Sequence, residues 1–174
     1  MQGAKEQVER ESEAETIEGM ADHVKNLIED DDSLMVIFGS GGTMRQIGKH
    51  LGYELTLLGI DIYENGTIHN DLNEQGLLDL IKNHTGKMQL LLSPMGGQGF
   101  LIGRGNLQLS ADVLREIGIE NILGIATPAK LLGLSSVRID TGDATLDAEF
   151  QTRKFIKLLQ GYRVTRVIRV HKTD

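Results

Sequence analysis

Short, almost wholly apolar runs alternate along this chain with stretches of helical period, and that alternation leaves few folds open. Residues 34–38 read Leu-Met-Val-Ile-Phe and end at Gly39-Ser40-Gly41-Gly42. Residues 57–63 (Leu-Leu-Gly-Ile-Asp-Ile-Tyr), 88–92 (Met-Gln-Leu-Leu-Leu) and 122–126 (Ile-Leu-Gly-Ile-Ala) repeat the type, and 137–140 is a shorter instance. Continuous apolar runs of this length suit strands buried on both faces. Between them lie helical stripes. Met44, Ile47 and Leu51 share a face that stops at Gly52. Asn73 is placed to cap a helix carrying Leu77, Leu78, Leu80 and Ile81, and Ser110 one carrying Val113, Leu114 and Ile117 up to Gly118. Residues 64–67, Glu-Asn-Gly-Thr, form a hairpin-like turn. The alternation predicts an α/β fold, a three-layer, mostly parallel sheet with helices on both faces.

The two ends are of different character. Ile17, Met20, Ala21, Val24, Leu27 and Ile28 make the stripe of an amphipathic helix over 13–28, preceded by a dozen polar residues read as a linker. Residues 1–32 are therefore expected to be an acidic helical extension, and 33–174 one α/β domain. The tail is open between two readings: Phe155, Leu158 and Leu159 fit a helix, whereas Ile156, Leu158 and the run 164–170 fit a β-hairpin turning at Gly161-Tyr162-Arg163. Its arginines and lysines are interleaved with apolar residues, as on a folded element with a cationic wet face. A chain of net charge −7 lacks the broad basic footprint of a nucleic-acid binder, so no nucleic-acid partner is expected. No apolar run is long enough for a membrane span, and residues 1–6 carry no apolar signal core. The chain has no cysteine, which excludes disulfides, thiolate metal sites and thiol nucleophiles and makes a cytoplasmic location the expectation.

Glycine marks the candidate site. The 21 glycines exceed the usual share, and the excess gathers in two stretches. The first, Gly39, Ser40, Gly41, Gly42 and Thr43, joins a strand to a helix, where bare backbone amides and two hydroxyls suit a phosphate. A tight turn explains glycine there too. The second runs from Ser93 to Asn106. Its Gly96, Gly97, Gln98, Gly99, Arg104 and Asn106 combine side-chain-poor backbone with a guanidinium fork able to grip a phosphate or ribose. Arg104 is the leading ligand. Asp140 and Asp143, after the fifth strand, are candidates for a ribose hydroxyl or a magnesium ion, with helix capping or an Asx-turn as the alternative for Asp143. Asp61, inside an apolar strand, either lies at the strand's exposed end, meets a cation, or serves the site. The histidines show no metal-binding spacing, and His50, His69 and His84 read as surface residues in turns or at helix ends. Neither G-x-G-x-x-G nor the P-loop pattern occurs at the first cluster, and no G-x-S-x-G elbow is present. A small-molecule phosphate ligand and a homo-oligomer are expected, with a sugar-phosphate module or a purely structural domain as the alternatives.

The run Pro94-Met95-Gly96-Gly97-Gln98-Gly99-Phe100-Leu101-Ile102-Gly103-Arg104-Gly105-Asn106, with Ala126-Thr127-Pro128, Arg138-Ile139-Asp140-Thr141-Gly142-Asp143 and Gly161-Tyr162, resembles the C-terminal half of the predicted ATP- or polyphosphate-dependent NAD kinase family related to the acetoin-catabolism X protein. The resemblance spans about 5–170. It implies phosphoryl transfer to the adenosine ribose of NAD, with ATP or polyphosphate as donor and magnesium on the donor. Asn73-Glu74 is similar to the Asn-Glu pair of such kinases, although a helix cap explains it equally well. Family members carry a G-P-G-T-T-like loop where this chain has residues 39–43. The Gly-Gly-Asp-Gly-Thr motif of such kinases, whose aspartate is tied to catalysis, is absent here; Gly39-Ser40-Gly41-Gly42-Thr43 echoes it without the acid. The expectation is a binding half that lacks the catalytic half and is inactive in isolation.

Overall fold

Strand polarity organises the molecule. The structure, a computed structural model, describes residues 2–173. Helix α1 (Gln2–Asp30) leads into β1 (Met35–Phe38), α2 (Gly42–Leu51), β2 (Asp61–Glu64), β3 (Thr67–His69), α3 (Glu74–Asn83) and β4 (Met88–Leu92). There follow β5 (Phe100–Ile102), α4 (Ala111–Ile117), β6 (Ile122–Ile125), α5 (Pro128–Leu131), β7 (Ser136–Ile139), α6 (Ala144–Arg153), β8 (Phe155–Gly161) and β9 (Val164–Val170). The strands form one sheet in the order β3-β2-β1-β4-β6-β8-β9-β7-β5. β1, β4, β6 and β8 run parallel. The antiparallel β8–β9 pair then reverses direction, and β9, β7 and β5 run parallel to one another the other way. The sheet is thus mostly parallel, and the tail is the hairpin of the two readings left open.

Two cores flank it. On one face α3, α4 and α6 set Leu77, Ile81, Val113, Leu114, Ile117, Leu146 and Phe150 against Met35, Ile37, Leu90, Leu92 and Leu158. On the other, α1 and α2 set Ile17, Met20, Val24, Met44 and Ile47 against Val36, Phe38, Leu91, Ile125 and Leu159. Continuous strand burial follows, all four residues of β1 and of β6 being buried. On the α1 side the helical layer ends at β8, so Lys157, Thr165, Val167 and Arg169 are exposed while Ile156, Leu158, Ile168 and Val170 are buried. The cationic wet face of the tail is this outer surface.

Several expectations need correction. The polar dozen at the start belongs to α1 instead of forming a linker. The second strand begins only at Asp61, because Leu57 and Leu58 lie in a loop, 46% and 79% exposed. It runs antiparallel to β1, and Asn65 and Gly66, both at positive φ, turn it into β3 as a two-residue hairpin requires. His69 therefore ends a strand, and the side chain of His84 is 7% exposed beside Glu64. The second glycine stretch is not a loop throughout, since it encloses β5, which pairs with β7. The caps predicted at Asn73 and Ser110 accept from the amides of Gly76 and Val113.

Candidate functional site

Parallel neighbours β1, β4 and β6 end side by side, and the segments that leave them form one rim. The first segment is residues 39–43. Gly39 is closed in: its amide donates to Leu91 O at 2.8 Å, and a Cβ there would stand 2.8 Å from the same oxygen. The amide of Gly41 donates to Leu57 O, also at 2.8 Å. Two of the amides expected to face an anion therefore point inward, holding β1 to β4 and the loop before β2 to the rim. What stays open is the start of α2. Gly41 and Gly42 have no atom within 4 Å of a Cβ position, and the helix has no side-chain cap at its N-terminus. Its first-turn amides at Gly42 and Thr43 thus face outward without an intrahelical acceptor.

The second segment leaves β4 through Ser93 and Pro94. Met95 and Phe100 exchange backbone hydrogen bonds of 2.8 and 2.9 Å, which makes residues 96–99 the tip of a small hairpin. Gly99 packs on Leu134, whereas Gly97 has no atom within 4 Å of where a Cβ would stand. The guanidinium of Arg104 reaches back over this tip: Nη1 would lie 2.9 Å from a Cβ on Gly96, whose φ of 70° already favours glycine. Asn106 is buried and braces the hairpin, its Oδ1 accepting from Gly103 N and its Nδ2 donating to Leu101 O, both at 3.0 Å. The two glycine segments meet where Ser40 Oγ points at Met95 Sδ, 3.9 Å away.

The third segment entered the sequence resemblance through Ala126-Thr127-Pro128 but was not named as a binding site. After β6, buried Thr127 caps α5 and donates to Glu13 Oε1 of α1 at 3.3 Å. Lys130 then places Nζ 3.2 Å from Oγ of buried Ser93. Burial holds the pKa of this ammonium below the ordinary lysine range. Among the described residues it has no carboxylate within ion-pair distance. Only the spatial adjacency of the β4 and β6 exits marks it out, since a lone lysine on a four-residue helix carries no pattern.

The aspartates lie elsewhere. Asp61 is 1% exposed and accepts from Thr56 N (2.7 Å), Thr56 Oγ1 (2.9 Å) and Asp71 N (2.7 Å), so it is not exposed at its strand end and, among the described residues, meets no cation. Asp140 and Asp143 follow β7, at the sheet end opposite to the exits of β1, β4 and β6. Asp140 Oδ1 accepts from Gly142 N at 3.1 Å. Asp143 caps α6 through Leu146 N at 3.0 Å and pairs with Arg115 at 3.0 Å, and the Arg115 hydrogen bond foremost holds its pKa below the usual carboxylate range. Among the described residues no group of three acidic, histidine or cysteine side chains is arranged to hold a metal ion.

A mixed α/β domain with a glycine-built rim at the carboxyl ends of parallel strands is the class that fold and site define. The family model described as ATP-NAD kinase C-terminal domain matches residues 31–170, and the chain belongs to that family. No curated protein and no solved structure matches the chain. No described helix is long and apolar enough to cross a membrane.

Proposed function

We propose that this chain is the nucleotide-binding part of a NAD kinase-type phosphotransferase, and that its rim takes the phosphates of NAD or of the phosphoryl donor. The observation that carries the reading is the meeting of two glycine bends at Ser40 and Met95, inside the region the kinase family covers. Phosphate oxygens fit what the rim presents: outward amides at the start of α2, the open backbone at Gly97, and the Arg104 guanidinium. Ser40 and Gln98 border the same space, Ser40 buried and Gln98 exposed. Magnesium, where the reaction uses it, neutralises phosphoryl charge and travels with the donor. Residues 39–43 hold no carboxylate in the place of the aspartate of the Gly-Gly-Asp-Gly-Thr motif, so on this reading the acidic catalytic group is not supplied by that loop.

Titration calorimetry tests the reading. NAD or ATP should saturate the protein at micromolar concentration. Selective binding of ribose or hexose phosphates would favour a sugar-phosphate module instead, and no heat with any of these at millimolar concentration would leave a structural domain. Arg104→Ala should weaken nucleotide binding by about 1.5–3 kcal/mol, the worth of a charge-assisted contact, with little change in Tm because the side chain is exposed. Unchanged affinity would make Arg104 a surface residue.

A further inference from the structure

We propose that Lys130, positioned by Ser93, is a second anion-binding cation of the rim, and that with Arg104 it selects a ligand carrying two linked phosphoryl groups over a monophosphate. This rests on the reading of the rim as a phosphate site and adds the residue and the ligand class.

Ser93 is 7% exposed and lies where β4 leaves the sheet, and its hydroxyl is the hydrogen-bond partner found for the Lys130 ammonium among the described residues. A hydroxyl orients an ammonium without neutralising it. The ammonium is thus partly desolvated at the Ser93 hydroxyl, burial lowers its pKa, and among the described residues no carboxylate pairs with it. Glu13, an acid at this exit, accepts from Thr127. Arg104 covers the same hairpin from Gly96, three residues beyond Ser93. The two anchoring points are therefore separated by no more than about 10 Å of backbone. Two flexible cations flanking so short a stretch can grip one diphosphate together, whereas a single phosphate can satisfy only one of them fully.

The probes are inorganic pyrophosphate, inorganic phosphate and NAD, titrated into the intact chain. Wild type should bind pyrophosphate at least about tenfold more tightly than phosphate. Lys130→Met should lose about ten- to a hundredfold in pyrophosphate affinity and most of that preference, and Lys130→Arg should recover part of both. Ser93→Ala should weaken pyrophosphate binding, and the double variant should bind no more weakly than Lys130→Met alone, as required if the hydroxyl acts through the ammonium. Labelling of wild-type lysines with trinitrobenzenesulfonate, read by peptide mass mapping, supplies a measurement independent of any variant's folding: pyrophosphate should slow modification at Lys130. Equal pyrophosphate affinity in wild type and Lys130→Met, or labelling that pyrophosphate does not slow, overturns this assignment and leaves the rim reading intact. A wild type that binds none of the three probes overturns both.

Discussion

Replacing Asp61 by asparagine separates an architectural carboxylate from a ligand-binding one. The native carboxylate is almost fully enclosed and receives three donors at 2.7–2.9 Å, two of them backbone amides from Thr56 and Asp71. It thereby ties together both ends of the irregular stretch around β2. Asparagine keeps one acceptor oxygen and in either orientation turns its NH2 group toward a backbone amide, Thr56 N or Asp71 N, that has no lone pair to offer. A hydrogen bond to a charged group is worth about 1.5–3 kcal/mol, and stranding a buried donor costs about 1–3 kcal/mol. Asp71 is exposed, so water can replace part of what its amide loses. One charge-assisted bond lost outright and one weakened give a destabilisation of about 3 kcal/mol. For a chain of this size that is a fall in Tm of about 6–12 °C. Thermal unfolding followed by circular dichroism reads it, with NAD titration on the same sample at a temperature where the variant is folded. The expected result is a large fall in Tm with nucleotide affinity within about twofold of wild type. An unchanged Tm with abolished binding would refute the reasoning and return Asp61 to the ligand.

Gly39→Ala places a methyl 2.8 Å from Leu91 O and 2.9 Å from Leu92 Cδ2, so β1 and β4 must part; a loss of about 2 kcal/mol, seen as a lower urea midpoint, is expected. Asn73→Ala removes the acceptor for Gly76 N and should cost about 1 kcal/mol, or about 2–4 °C in Tm. His23 Nδ1 accepts from Arg163 N at 3.3 Å, and burial first, then the Arg163 charge, lower its pKa. The native state therefore favours neutral His23, so its contribution is complete above the unfolded histidine value of about 6.5 and is lost as pH falls below it toward the lower folded value. Urea midpoints of wild type and His23→Gln should accordingly converge as pH is lowered from 7.5 to 5.5, and a gap that stays constant would exclude His23 as the linked group.

What could be read from the sequence was what local pattern encodes. Leu77 and Ile81 behind Asn73, or Met44 and Ile47 before Gly52, carry period, start and stop within one segment, and the helices stand where those signals lie. β5 could not be read in this way. Phe100-Leu101-Ile102 is a strand only because Arg138 and Ile139 of β7 lie beside it, and its flanking glycines signal a loop. The run at 57–63 misled for the opposite reason: Leu57 and Leu58 are apolar but uncovered, and the strand starts only once Asp61 has anchored the preceding turn. The first dozen residues lack an apolar stripe, so periodicity was silent there, although glutamate, alanine, lysine and glutamine are good helix formers. At the rim, the glycine segments were visible as composition. The inward amides of Gly39 and Gly41 and the Lys130–Ser93 contact were not, because each depends on a partner strand.

The reversal at the β8–β9 hairpin also decides which polar residues can share a ligand. Segments leaving β1, β4 and β6 open at one end of the sheet, while those leaving β5, β7 and β9 open at the other. Arg104 follows β5 and yet reaches the first end, because β5 is only three residues long and the Met95–Phe100 pairing folds the hairpin tip beneath the guanidinium. Asp140 and Asp143 follow β7 and have no such path. Gly103, at a φ of 110°, is pressed against Asp140, with a Cβ position 2.5 Å from its carbonyl oxygen, so this end of β5 is packed shut. The polar groups there satisfy one another: Thr141 with Asp147, Asp140 with Gly142, and Asp143 with Arg115 and Leu146. Conversion of Asp140 or Asp143 to asparagine should therefore act on the start of α6 and leave phosphate affinity at the rim unchanged, whereas the two cations proposed for the ligand, Lys130 and Arg104, reach Ser93 and Gly96 at the other end.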